Sequence, residues 1–484
     1  MRNRPVLHCF SFDQQDFAIN TATMIASRIS RESASYLHGE QSRKAFDTLS
    51  VTAVAELESL CFKGRKTADN GNNLRPLPCD DSEGKSSVHT GRDDRIECIA
   101  LFVTQKCNLR CVYCYGGAGE YGNPGVMDET TALRAVDWLL ERCGPVEGRI
   151  SFFGGEPFLN FSLMKKVAGY ARQQAEKRGV RMNFSVTTNL SLLDREKLDF
   201  IRNFDVMTIA SFDGPKELFD TLRPSADGSS SYDKVIKMLP ELLAERGDKV
   251  NARATLVPCS DPAEVQTALH STGFLRYHMI PAARSLYSGI EKRYEDTAYL
   301  EKSLALMSLN IRQFLDALNK RNDAQITTLA RSLDIPLPAR DCFLSRNRIF
   351  LGRRKYKCGI GRSYVAVSIS GDIYPCHRFT GQEKYRFGSI FENELLNTDY
   401  HISPVDAAEE CRKCWTRYMC GGGCLHEHAG ETGDIRIPSV RHCDYEKRRN
   451  EMKIALWCSI SRDDYQWLEE SRVISAIACA LDFG

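Results

Sequence analysis

No stretch of this 484-residue sequence approaches 18 consecutive apolar residues, the length that marks a membrane-spanning helix. The N-terminal stretch MRNRPVLHCFSFDQQDF breaks its apolar run at Asp13, Gln14, Gln15 and Asp16. Neither a membrane span nor a signal peptide is expected, and the expected location is cytoplasmic. An excess of charge is missing too: 65 Lys and Arg stand against 63 Asp and Glu, intermixed along the chain, so nucleic acid is not an expected partner. No repeat of fixed period occurs, and a repeat architecture is not expected. What the chain holds in unusual supply is cysteine, 19 in all. Disulfide scaffolds are small and secreted, and an odd count leaves one thiol over in any all-disulfide scheme. The clustering of these thiols suits metal ligands in a reducing cytosol.

At about 150 residues per domain the length suits roughly three domains. Residues 1–64 read as a small α+β module, with VLHCFSF and DFAI as a hairpin around Asp13 to Gln15 and helical stretches near 22–37 and 40–63. Residues 65–95, rich in Gly, Asn, Ser, Asp and charge, read as a linker. Between 96 and 290 the pattern alternates. Six apolar strand candidates, ECIALFVT, RISFFG, RMNFSVTT, DVMTIAS, VNARATLV and FLRYHMI, are separated by helical stretches near 128–142, 161–178, 194–203, 232–246 and 261–271. This predicts an α/β fold with parallel strands, right-handed crossovers and closure into a partial or full barrel. Residues 291–340 read as a helical bridge, 341–450 as a cysteine-rich third domain and 451–484 as a C-terminal helical segment.

Directly after ECIALFVT comes TQKCNLRCVYCYGG, which sets Cys107, Cys111 and Cys114 as C-x3-C-x2-C in the first loop. Three thiolates hold three irons of a cubane, and the fourth iron is left open for a small molecule. A zinc knuckle short of one ligand, or three core thiols, is the plain alternative. The second strand ends in FFGGEP, where Gly154 and Gly155 permit close backbone approach and Glu156 is an acceptor for an ammonium group. The cysteine loop, with Tyr115 behind it, followed by GGEP, resembles the radical S-adenosylmethionine (SAM) superfamily over about 97–281. The resemblance implies that SAM chelates the open iron and is cleaved to a 5′-deoxyadenosyl radical. It implies that Gly154, Gly155, Glu156 and Pro157 hold the methionine amino group, and that Thr188, Asn189, Ser211 and Asp213 lie near the ribose and methionine. Arg253 would meet the SAM carboxylate, Leu256 would lie near the adenine, and Tyr113 within the loop would be a further SAM contact. Leu190 departs from the pattern, because many relatives have Gly after the Asn.

Farther on, CGIGRSYVAVSISGDIYPC reads as a hairpin flanked by Cys358 and Cys376, and ECRKCWTRYMCGGGC supplies Cys411, Cys414, Cys420 and Cys424 before Cys443. Two cubanes held only by protein need eight thiolates; these segments supply seven, and Cys342 is the candidate eighth. The spacing resembles the SPASM extension of peptide-modifying radical SAM enzymes. That resemblance implies auxiliary cluster I on Cys358, Cys376 and Cys424, and auxiliary cluster II on Cys411, Cys414, Cys420 and Cys443. Without Cys342, cluster I has an open iron able to take a substrate thiol. Zinc is again the alternative for CxxC pairs. His377, His426 and His428 are read as capping or packing residues, the basic run 345–357 as a solvated face, and the cysteines at 9, 61, 79, 98, 143, 259, 458 and 479 as small buried apolar residues.

VLHCFSF near the start, GDIYPCHRFTG and CGGGCLHEH together are most similar to maturases of ribosomal peptides that form thioether crosslinks, of the sactipeptide and ranthipeptide type. The resemblance implies an enzyme with SAM and three 4Fe–4S clusters, a precursor peptide with a leader sequence as partner, and an electron donor such as flavodoxin or ferredoxin. Carbon–carbon or ether crosslinking, or maturation of a quinohemoprotein subunit, are alternatives within the group. A non-enzymatic multi-cluster electron carrier is the alternative of another class; it has no use for GGEP or Arg253. Residues 1–64 resemble the winged-helix-like module that holds a leader, with a strand edge of VLHCFSF or DFAI open to β-augmentation.

Overall fold

The structure is a computed structural model that describes residues 7–39, 48–61, 95–287, 297–333, 338, 342–345, 348–392 and 402–471. Its strands, in chain order, are β1 (Leu7–Phe12), β2 (Gln15–Asn20), β3 (Ile25–Ile29), β4 (Cys98–Thr104), β5 (Glu147–Gly154), β6 (Arg181–Thr188) and β7 (Met207–Ser211). They continue with β8 (Val250–Leu256), β9 (Arg276–Pro281), β10 (Phe343–Ser345), β11 (Arg348–Phe350), β12 (Tyr364–Val367), β13 (Asp372–Tyr374) and β14 (Gly388–Ser389).

Strands β4 to β9 lie side by side in sequence order and all parallel, with Ile99 opposite Ile150 and Ile150 opposite Phe184. They are the six strands expected from the apolar pattern. Helices cover their outer face: Trp138, Met164, Phe200, Leu242 and Leu269 bury against Leu101, Phe152, Val186 and Ala252 in one apolar cluster. Asp128, Asp194 and Asp261 accept backbone N–H bonds at three helix starts, which fixes where each crossover turns back. The expected helix 232–246 is two helices, Ser231–Ile236 and Leu239–Arg246. Pro240 occupies the first turn of the second, where its missing N–H costs nothing. A short helix, Lys216–Leu222, was not expected.

The sheet does not end at β4. The β12–β13 hairpin, which turns through Gly371 at φ +86°, lays β12 parallel to β4 with Ala366 opposite Ala100. The cysteine-rich region is therefore hydrogen-bonded to the strand that leads into the C-x3-C-x2-C loop.

At the N-terminus, β1 and β2 form the expected hairpin through Asp13 and Gln14, both at positive φ as a type I′ turn requires. Two features differ from the sequence reading. The expected helical stretch 22–37 begins with strand β3, and the helix covers only Arg31–His38. The segment DFAI is not an open edge: β2 pairs on both sides, and β3 is closed by β11, with Ile349 opposite Ala26. One face of this sheet has a small apolar cluster of its own, Ala18, Ile25, Ile29, Ala34 and Leu60; the other face shares a core with the rest of the chain. Phe10, Phe17, Ile19 and Met24 bury together with Phe314 of helix Ala298–Asn319, Ile326 of helix Asp323–Leu333 and Ile454 of helix Val440–Ser459. The expected linker 65–95 lies outside the described residues except for Arg95, as do the expected apolar sites at 79 and 479. Among the described residues, no helix is long and apolar enough to cross a membrane.

Candidate active site

The loop after β4 holds Cys107, Cys111 and Cys114, and the chain near 222–226 runs against it. Val112 N–H donates to the Leu222 carbonyl at 2.9 Å and Arg110 N–H to the Pro224 carbonyl at 2.8 Å. Burial pushes the Cys107 thiol up to about 11 and the Cys111 thiol to about 12, and raises that of Cys114; Cys107 and Cys111 also feel the charge of Cys114. Donors nevertheless face all three sulfurs. Leu109 N–H lies 3.4 Å and Asn189 Nδ2 3.9 Å from the Cys107 sulfur, and Arg223 Nη1 lies 3.9 Å from that of Cys111. Backbone amides of Gly116, Gly119 and Ala118 favour the thiolate of Cys114. Three clustered sulfurs supplied with N–H donors are the donor set a cluster-bound thiolate trio needs, so these residues fit a 4Fe–4S cluster.

The GGEP glycines serve this loop directly. Gly154 has φ +136°, and a Cβ there would meet the Thr104 carbonyl oxygen at 1.9 Å; at Gly155 it would meet the Lys106 carbonyl oxygen at 2.2 Å. Their lack of side chains lets β5 press against the backbone ahead of Cys107. Glu156 is fully buried, and burial raises its carboxyl to about 7. It accepts from Thr188 Oγ1 at 2.8 Å, Asn189 N–H at 2.7 Å and Phe158 N–H at 3.2 Å, which ties the end of β5 to the end of β6. Asn189 in turn donates to Asn108 Oδ1 at 3.0 Å. Pro157 is buried at the head of a short 3-10 turn. Leu190 has φ +63° with its side chain fully buried, which is why glycine suits that position.

Asp213 takes a different part from the expected ribose contact. Its carboxylate accepts from the Tyr113 hydroxyl, from Arg223 Nε at 2.7 Å and Nη2 at 3.0 Å, and from Thr255 N–H at 2.8 Å. Four donors fill the acceptor capacity of one carboxylate, so Asp213 and Tyr113 brace the loop. Arg223 completes this brace; no sequence signal singled it out. Ser211 lies at the end of β7 opposite Arg253 of β8, and the Arg253 charge helps to depress His377. Leu256 packs with Val265 and Leu269 on the helix side of the sheet, so its side chain is turned from the face carrying Arg253 and only its backbone, at the end of β8, faces the loop end of the sheet.

The remaining candidate thiols fall into two groups. Cys358 and Cys376, raised by burial, each feel Cys424. Cys443, pushed up to about 12 by burial, feels Cys420, Cys411 and Cys414. Cys342 packs against the cluster of Phe343, Ile349 and Trp457, and Cys376 belongs to that of Tyr374 and Phe379. His377 receives or gives a bond at Nδ1 with the Tyr364 hydroxyl, 2.6 Å away. The ring nitrogens of buried His426 and His428 have no hydrogen-bond partner among the described residues. Orphan donors of this kind beside Cys424 suit a group carrying sulfide acceptors. Of the cysteines expected to be apolar filler, Cys458 is buried and Cys9, Cys98 and Cys143 are half-buried, but Cys259 is exposed.

Tyr115 links the loop to the first group. It is half-buried, feels both Cys114 and Cys376, and its ring lies 6.1 Å from that of His377 and 5.9 Å from that of His426. Arg378, paired with Glu427 at 3.0 Å, lies 5.4 Å above it. At the second group, His8 of β1 stacks on Trp415 at 3.9 Å, and both line a surface cavity of about 320 Å³ that reaches Cys414.

Residues 101–270 match the family model of the Radical SAM superfamily. Over 138 residues the chain is 35% identical to an uncharacterized protein of Methanocaldococcus jannaschii, covering 28% of this chain and 46% of the relative, less than half its length. It is 24% identical over 386 residues to a cysteine-type anaerobic sulfatase-maturating enzyme of Clostridium perfringens, covering 75% of this chain and 93% of the relative. Native anSMEcpe with AdoMet and a peptide bound has a similar fold, with a TM-score of 0.58 at 19% identity over 78% of this chain and 99% of that one. With a parallel β/α sheet, a three-cysteine loop at the end of its first strand and this match over 101–270, the chain carries a radical SAM domain.

Proposed function

We propose that the chain is a peptide maturase that installs an intramolecular crosslink in a ribosomally made peptide, most specifically a thioether from a cysteine sulfur to a carbon. It would carry one 4Fe–4S cluster on Cys107, Cys111 and Cys114, a second on Cys358, Cys376 and Cys424, and a third on Cys411, Cys414, Cys420 and Cys443. The observation that carries the reading is Tyr115, adjacent to Cys114 in the chain, whose ring lies 6.1 Å from that of His377, adjacent to Cys376, and 5.9 Å from that of His426. A peptide held along this aromatic wall lies between the two thiol groups. When bound, SAM and the first cluster supply a 5′-deoxyadenosyl radical able to take a hydrogen atom from a peptide carbon.

The chain's own residues hold and orient. Leu109 and Asn189 at Cys107, Arg223 at Cys111 and the amides after Cys114 stabilise thiolates in a buried loop. Glu156 locks the ends of β5 and β6 together and keeps acceptor capacity for an ammonium group. The second cluster takes Cys342 as its fourth thiolate or leaves an iron open to a substrate thiol. The sulfatase-maturating relative and the fold shared with a peptide-bound structure support a polypeptide substrate. A leader segment would pair with β1, the outer strand of the five-stranded sheet, and a flavodoxin or ferredoxin would deliver electrons.

The test is coexpression with a short cysteine-bearing open reading frame beside the gene, followed by mass spectrometry. A peptide lighter by a pair of hydrogen atoms per crosslink, with a thiol lost to alkylation, is expected. The same mass loss with every thiol intact contradicts the thioether and favours a carbon–carbon or ether bond.

A further inference from the structure

We propose that Arg223 is a positioning residue for the radical-generating centre, its buried guanidinium setting the reduction potential of the cluster on Cys107, Cys111 and Cys114. The inference rests on the family assignment of that loop. Arg223 follows helix Lys216–Leu222 and is only 6% exposed. Its Nε and Nη2 form a two-pronged ion pair with Asp213, itself 1% exposed, and its third nitrogen, Nη1, is left for the Cys111 sulfur at 3.9 Å. The guanidinium also lies 5.3 Å from the ring centroid of Tyr113, between Cys111 and Cys114. Leu222 and Pro224, on either side of it, bond to the backbone of Val112 and Arg110. The cation is thus fastened to the loop by the backbone around it and aimed by a carboxylate that is anchored on β7 and β8.

Reduction of the cluster adds one electron, from the external donor, to a centre that already carries the negative charge of three thiolates. A cation in a low-dielectric site one hydrogen bond from a ligand sulfur favours the reduced form, and a carboxylate on its far side opposes this more weakly. The two charges therefore have opposite signs of effect. Arg223→Gln should lower the potential and Asp213→Asn should raise it. Arg223→Lys, which keeps the charge but cannot form the fork and the sulfur contact together, should fall between Arg223→Gln and the parental protein.

The experiment is an anaerobic dithionite titration of the reconstituted full-length chain, following the cluster EPR signal that changes when SAM is added. Arg223→Gln is expected to lose at least tenfold in the reduction equilibrium, ~59 mV for a one-electron couple, at parental iron content. Asp213→Asn is expected to shift the other way. A purely structural role would move both variants together, through lost iron or a distorted loop. Equal midpoints, or shifts of one sign at parental iron content, would overturn the proposal. Should Arg223→Gln fail to load iron, Arg223→Lys and Asp213→Asn decide by the same signs. A parental protein with no SAM-sensitive signal would instead count against the assignment of the cysteine loop, and the inference would fall with it.

Discussion

Glu156 is the buried charge whose consequences are easiest to measure. Its carboxyl is raised to about 7 from an ordinary 4.5, first by burial, against three hydrogen bonds that favour the anion. Below pH 4.5 the group is protonated whether the site is closed or open to water, so it contributes no pH dependence. Between 4.5 and 7 the open form releases its proton while the closed form keeps it, and closed-state stability falls as pH rises. At roughly 1.4 kcal/mol per pH unit, the loss is about 3 kcal/mol and is complete above pH 7. Glu156→Gln carries no charge and removes that slope. It also sets an amide N–H₂ against Asn189 N–H or against the donors of Thr188 and Phe158, costing about 1–3 kcal/mol at every pH. Hydrogen exchange of a peptide spanning 186–191, which contains the Asn189 amide, reads the opening free energy directly. The cluster-loaded protein without SAM should lose protection between pH 4.5 and about 7 and the variant should not. An equal decline in both would refute the assignment of the raised carboxyl to Glu156.

Leu190, fully buried at φ +63°, should reverse the usual order of small residues. Leu190→Gly and Leu190→Ala both lose roughly 2–5 kcal/mol of packing, but only glycine sheds the left-handed strain of ~1–2 kcal/mol. In the same exchange measurement the Gly variant should be the better protected; a better protected Ala variant would contradict this. Deleting residues 1–64 should fail as a clean removal of a module. Burial of Phe10, Phe17, Ile19 and Met24 in the shared core, at about 1.5–3 kcal/mol each, approaches the whole stability of a domain, ~5–15 kcal/mol. A soluble, iron-replete truncation would contradict the shared core. Cys376→Ser should lower the iron content of the reconstituted protein; an unchanged content would contradict its place in the second cluster, and an equal loss in Cys342→Ser would give that cluster its fourth thiolate.

Periodicity and composition carried the barrel a long way. All six strands, and helices beginning after Asp128, Asp194 and Asp261, come from apolar spacing and capping, which are local and therefore visible in the chain. What was hidden is non-local. Nothing near YVAV says that β12 will extend the barrel sheet at β4, or that RIF at 348–350 will close the edge of β3, because strand pairing depends on partners hundreds of residues away. IASRI is too short for its alternation to be told from a helix. In the site, the cysteine spacing and GGEP were legible as motifs, but the physical reason for the glycines, close approach to the Thr104 and Lys106 carbonyls, was not. Asp213 has the sequence context of a ligand contact, yet its four donors make it a brace, and Arg223 carried no motif at all.

The central claim is that the Cys107, Cys111 and Cys114 loop generates a radical from SAM while the C-terminal thiols serve the later crosslinking of the peptide. The direct measurement is 5′-deoxyadenosine formed by the anaerobically reconstituted full chain with SAM and dithionite. It is run on the parental protein, on the triple alanine variant of the loop and on Cys411→Ala with Cys414→Ala. The account predicts nucleoside from the parental chain, none from the loop variant, and continued formation without crosslinked peptide from the last. Formation of 5′-deoxyadenosine by the loop variant, or none by an iron-replete parental protein, would contradict it.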